Sequence, residues 1–80
     1  MEHYDRIHVK CRSGYKADEY PVSFAFQGRC WEVAEILDRW YEGGRESERP
    51  VMDYYKVKTR EDRVFILINA VHLNEWFIRY

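Results

Sequence analysis

Val33-Ala34-Glu35-Ile36-Leu37-Asp38-Arg39-Trp40 can be read in two ways. As a helix, Val33, Ile36, Leu37, Trp40 and Tyr41 fall at i, i+3, i+4, i+7 and i+8, the spacing of one apolar stripe. As a strand, Trp31 and Val33 share one parity while Ile36 and Trp40 share the other. The strand then needs one extra residue near Ala34-Glu35, a β-bulge that transfers the buried set between faces. The flanks weigh on the choice. Gly28-Arg29-Cys30 offers no Ser, Thr, Asp or Asn to cap a helix starting at Trp31. Gln27-Gly28 follows the alternating Val22, Phe24 and Phe26, and Gly28 supplies the positive φ of a tight hairpin, so the chain reverses there and pairs at once. On the other side, Glu35 and Arg39 make an i,i+4 pair and Gly43 suits a helix C-terminus. The hairpin favours a bent strand; an α+β fold with a helix over 31–41 stays as the rival.

Working outward, the other segments alternate with period two. Ile7, Val9 and Cys11 alternate with His8, Lys10 and Arg12, the mark of a half-buried strand ended by a turn at Ser13-Gly14. Pro21 opens the next strand, where it forfeits no ladder bond. Tyr55, Val57 and Thr59 lie opposite Tyr54, Lys56 and Lys58. After a polar turn at Glu61-Asp62, Val64–Ile68 is a β-branched run suited to a central strand buried on both faces. Asn74-Glu75 reads as a turn, and Trp76–Tyr80 as a closing edge strand with Trp76, Ile78 and Tyr80 on one face. The expected fold is all-β: five or six short antiparallel strands in a meander that curls into a small SH3-like or partly open barrel. Residues 1–80 form one domain, with a flexible loop at 42–50, where paired glycines, charges and Pro50 leave little to bury.

Composition supports a folded core. Eighty residues bury only about 60–65% of the unfolded chain's surface, but 18% are aromatic and each ring covers roughly 150–250 Å². Thirteen basic and fourteen acidic residues leave a net charge of −1, so nothing draws the whole molecule to nucleic acid or to an anionic membrane. No apolar run approaches a membrane span, and the first residues carry no basic-then-apolar export signal. A cytoplasmic location is therefore expected, with Cys11 and Cys30 as reduced thiols.

Pro21-Val22-Ser23-Phe24, Gly28, Val33, Ile36-Leu37-Asp38-Arg39-Trp40 and Tyr55-Lys56-Val57-Lys58 together resemble a family of small bacterial domains of unassigned function. The resemblance covers roughly residues 21–80, and Ile36-Leu37-Asp38-Arg39-Trp40 is its specific part. It implies an all-β fold. Some members are encoded beside translesion DNA polymerase components, a neighbourhood that assigns no role to any residue.

Chemistry is sparse. His8 and Cys11 have H-x-x-C spacing, with Cys30 and His72 as further candidate ligands, but no C-x-x-C knuckle exists and a strand sends His8 and Cys11 to opposite faces. No thiol has a base in its local sequence, no serine lies in a nucleophile elbow and no glycine-rich phosphate loop occurs. The carboxylate pairs Asp18-Glu19 and Glu61-Asp62 fall in solvated turns. Asp38 reads as an acceptor that pins a bend, by bonding turn amides or the Trp40 indole N–H, or as a recognition carboxylate with Arg39 at the barrel mouth.

The most suggestive feature is a basic-aromatic strip: Tyr54, Lys56, Lys58 and Arg60 share a parity, with Arg63 across the turn. Cations beside stacking rings are how small barrels hold single strands, while an ordinary charged outer face is the plainer reading. Exposed Tyr, Trp and Arg serve a protein interface equally well. The expectation is a non-catalytic binding module for a protein partner or nucleic acid, with no cofactor or metal, a binding set of Tyr54, Lys56, Lys58, Arg60, Arg63, Asp38 and Arg39, and a possible homodimer through the C-terminal edge strand. The alternative is a thiol- or metal-dependent enzyme using Cys11, Cys30 and His72.

Overall fold

The ambiguous stretch is a strand. A computed structural model describes residues 4–13, 19–43 and 51–80. The strands are β1 (Tyr4–Ser13), β2 (Glu19–Phe26), β3 (Arg29–Glu42), β4 (Met52–Thr59), β5 (Val64–Ala70) and β6 (Glu75–Arg79). Each runs antiparallel to its chain neighbour, and β1 pairs with β6 to close a six-stranded barrel. No helix occupies 31–41, so the α+β rival falls. No helix among the described residues is long and apolar enough to cross a membrane, which says nothing about a β-barrel.

Two long strands make the closure. The start of β3, Arg29–Glu32, pairs with β2, and Val33–Glu42 then pairs with β4. In β1, Tyr4–Ile7 pairs with β6, and His8–Ser13 with β2. Each long strand therefore bends from one partner to another, which turns a meander into a closed wall.

The β3 register breaks twice. Val33 lies opposite Thr59 and Glu35 opposite Lys58, which leaves Ala34 as an extra residue where the sequence places a bulge. A second break leaves Leu37 extra, between Ile36 opposite Val57 and Asp38 opposite Lys56. The sequence reading lacks this second bulge, and it changes the facing. Thr59, Val57, Tyr55 and Asp53 form the buried face of β4, so Ile36, Arg39 and Tyr41 take the inward parity while Asp38 and Trp40 take the outward one. Trp40 and Asp38 do not share a face with Ile36, because the second extra residue reverses the alternation once more.

At the β2–β3 hairpin both Gln27 (φ 53°) and Gly28 (φ 75°) are left-handed, the type I′ geometry whose twist matches its strands. A Cβ on Gly28 would meet nothing within 4 Å. Gly28→Ala should therefore cost only the backbone penalty, about 1 kcal/mol, read as a lower urea midpoint with an unchanged slope.

The interior is ring-packed. Phe24 lies parallel to Trp31 at 6.4 Å and edge-on to Phe65 at 5.7 Å. Val57, Leu67 and Ile78 are fully buried around them. As the apolar run Val64–Ile68 predicts, β5 buries both faces: Leu67 inward, and Ile68 at 3% exposure on the outward parity.

One expectation about the chain's last strand is overturned. β6 is not an edge, since β5 flanks it on one side and Tyr4–Ile7 on the other. Ile78 and Trp76 face the core, and the Tyr80 ring packs against Phe26 at 4.9 Å. β1 begins three residues before the expected start at Ile7 and covers the side of β6 that an edge-paired homodimer needs. β3 continues through Glu42, so residue 42 belongs to a strand and not to the loop expected at 42–50. Residues 44–50, Gly14 and Asp18 of the Asp18-Glu19 carboxylate pair lie outside the described residues, while Glu19 opens β2.

Candidate interaction surface

Alternation predicts a polar outer face wherever the inner face is filled. This barrel departs from that rule along one row. Trp40 lies opposite Tyr54, Tyr54 opposite Ile68, Ile68 opposite Phe77, and Phe77 opposite Arg6. All take the parity away from the core, so three rings and an isoleucine run across β3, β4, β5 and β6 and end at a cation on β1. Trp40 and Tyr54 stack at 5.2 Å with 10° between their planes, and the Trp40 indole N–H donates to Glu42 Oε2 at 3.1 Å. The Tyr54 phenol has its pKa pushed up, first by burial and then by the nearby Glu42 carboxylate. Trp40, Tyr54 and Phe77 stay half-buried. Next to the row, Met52 pairs with Ala70, and beyond them Val51, Val71 and Leu73 are exposed at the end of the barrel.

The rim carries both signs. Arg6 is 3.2 Å from Glu75. Lys56 lies opposite Asp38, and Lys58 opposite Glu35 and 3.6 Å from Asp62. The basic-aromatic strip expected from the sequence is thus only partly assembled. Tyr54, Lys56 and Lys58 do share the outer face, but β3 sets a carboxylate against each lysine, which removes the one-signed field that nucleic acid follows. Arg60 lies past the end of β4, in the turn, with its Nε 2.9 Å from Glu32 Oε2. Arg63 turns toward the core: its Cζ lies 5.7 Å from the Trp31 ring and 5.5 Å from Phe65. Arg29 covers the same indole at 4.0 Å and holds Glu61 at 2.6 Å. These two guanidiniums close one end of the core.

Arg39 belongs to a different site from its neighbour Asp38. It takes the inward parity and grips Asp53 with two bonds, Nε to Oδ1 at 3.2 Å and Nη2 to Oδ2 at 2.9 Å. The Tyr55 hydroxyl donates to Asp53 Oδ2 at 3.1 Å. The guanidinium lies 4.8 Å from the Tyr55 ring and 5.4 Å from Tyr41. Its pKa is raised, chiefly by the hydrogen bond to Asp53; that of Tyr55 is raised by burial first and by the Asp53 carboxylate next. Asp53 is almost wholly buried while the Arg39 side chain is one-third exposed, so this is a satisfied, part-buried ion pair. Asp38 accepts the backbone N–H of Arg39 at 2.8 Å, which fixes the backbone at the second bulge, while the Trp40 indole goes to Glu42 instead.

The thiols and histidines are scattered. Cys11 is half-buried on β1 and Cys30 is exposed at the start of β3, toward the Thr59 end of the wall. His72 sits in the β5–β6 turn, at the Met52 end. Among the described residues no three His, Cys, Asp or Glu side chains gather as a metal-binding set.

Sequence reasoning missed Ile68 and Phe77 as members of the outer row. The signal was present: Phe77 alternates with Trp76 and Ile78, so a large ring at the opposite parity had to face away from the core. No family model, curated protein or solved structure matches the chain.

Proposed function

We propose that this protein is a non-catalytic docking module that receives an amphipathic helix of a protein partner along the Trp40–Tyr54–Ile68–Phe77 row. One observation supports the reading: the interior is already filled by its own rings, yet a second apolar row, three half-buried rings around a buried Ile68, takes the outward parity, where strand alternation calls for polar residues. Rings and arginine around an apolar centre are the composition of interface hot spots. Neighbouring strands lie about 4.8 Å apart, close to the roughly 5.4 Å rise of one helical turn. A helix laid across the strands therefore offers one apolar side chain per strand, the i, i+3, i+4, i+7 mode of recognition. The rim's mixed charge suits a protein better than a polyanion, since Asp38 and Glu35 oppose Lys56 and Lys58.

Photocrosslinking tests this. A photoreactive phenylalanine in place of Tyr54 should yield one discrete protein adduct in cells. Phe77→Asp should abolish it while leaving the unfolding free energy within about 1 kcal/mol of the parent, as for an outward residue. Adducts that survive Phe77→Asp, or adducts with nucleic acid instead of protein, would overturn the reading. The thiol- or metal-enzyme alternative requires Cys11, Cys30 and His72 to act together, and the barrel sets Cys30 and His72 toward opposite ends.

A further inference from the structure

The β2–β3 ladder stops at Ser23 opposite Glu32. Beyond that pair β2 continues with β1 and β3 continues with β4, so the two strands fork. Val22 is the extra residue of a bulge against Lys10 and Cys11. A crevice of about 330 Å³ occupies the fork, with Val22, Ser23 and Val33 as its floor and Lys10, Arg12, Arg60 and Glu32 around it. It shares no residue with the docking row.

The charges are not balanced. Glu32 is committed to Arg60, with 2.9 Å between Oε2 and Nε, and the Glu32 carbonyl accepts the Arg60 backbone N–H at 3.1 Å. Lys10 and Arg12 are exposed and make no ion pair among the described residues. Two cations without an ion pair among the described residues, one of them a planar guanidinium, thus line a crevice with a hydroxyl and two valines. We propose that this fork binds the phosphate of a small phosphomonoester as its dianion. Arg12 takes two phosphate oxygens as a fork, Lys10 supplies the second positive charge and the Ser23 hydroxyl donates a third bond. Val22 and Val33 receive the carbon portion of the ester.

Two features favour a small molecule over a nucleic-acid chain. The crevice holds one phosphate and one small ring. A strand would need further cations at its next phosphates, and Lys58 and Lys56 are already opposed by Glu35, Asp62 and Asp38.

The test is an amide-shift titration of the intact chain with inorganic phosphate at constant ionic strength. Saturable shifts are expected at Ser23, Glu32, Val33 and Arg60. Affinity should be about tenfold higher near pH 7.5 than near pH 5.5, because the second phosphate proton is lost between them. Arg12→Gln and Lys10→Gln, both at exposed positions, should each weaken binding by about tenfold, the loss of one charge-assisted bond. Glu32→Gln, which frees Arg60, should tighten it. Linear shifts, or shifts indifferent to Arg12→Gln, mean an adventitious ion only and overturn the proposal. Tighter binding of a short thymidine strand without a terminal phosphate overturns it in favour of a nucleic-acid track.

Discussion

Trp31→Ala is expected to lower the unfolding free energy by about 4 kcal/mol, and Trp40→Ala by less than about 1 kcal/mol, although the two residues lie on one strand. Trp31 is 5% exposed. Its ring lies parallel to Phe24 and edge-on to Phe65 at 5.3 Å, and its indole N–H donates to the Phe26 carbonyl at 3.1 Å. Truncation leaves a ring-sized cavity, strips that carbonyl of its donor and removes the surface on which Arg29 and Arg63 rest. Trp40 stacks on one neighbour at the surface and its indole reaches an exposed carboxylate, so water replaces much of what is lost. Urea unfolding of both variants gives the comparison. A larger loss at Trp40 would mean that the strand faces the other way, and every inside and outside assignment on β3 would fall with it.

Arg39→Met should cost about 2–4 kcal/mol, somewhat below the usual figure for breaking a buried pair because the guanidinium is one-third exposed. The damage lies in what is left behind. The Asp53 side chain is 8% exposed and, among the described residues, would keep only the Tyr55 hydroxyl as partner. Adding Asp53→Leu to Arg39→Met should recover most of the loss, since an apolar pair of similar volume asks for no compensation. Thermal or urea midpoints of the two singles and the double form the cycle. A double variant no better than the sum of the singles would show that the pair fixes the shape of the barrel mouth and not merely its own charges. Asp53→Leu alone should be the milder single, because Arg39 can turn toward water.

How far these effects were legible in the sequence differs from element to element. Period-two alternation located β2, β4 and the Ile7–Arg12 part of β1, the unbroken β-branched run located β5, and Gly28 located the reversal that made 31–41 a strand, since local geometry sets all of these. The facing of Trp40 was not legible. A single bulge and a double bulge produce the same apolar letters, and the choice depends on Arg39 reaching Asp53, fourteen residues away. Closure was missed for a related reason. The Tyr4–Ile7 segment carries Asp5 and Arg6 and looks like a solvated tail until Trp76–Arg79 lies beside it. Of the proposed binding residues, Tyr54, Lys56 and Lys58 kept their shared face because a regular strand guarantees it. Arg60 and Arg63 did not, because the β4–β5 turn, with Asp62 left-handed at φ 63°, sends them elsewhere.

The pairing of Tyr4 with Arg79 has a consequence for how the molecule comes into being. Tyr4 opens the first strand of the wall and Arg79 closes the sixth, so β1 leaves the ribosome ahead of the four strands between and waits for β6. The hairpins can assemble as they appear, each from near neighbours in sequence. The seam waits for β6, and until it arrives one flank of β1 is open to whatever extended peptide comes by.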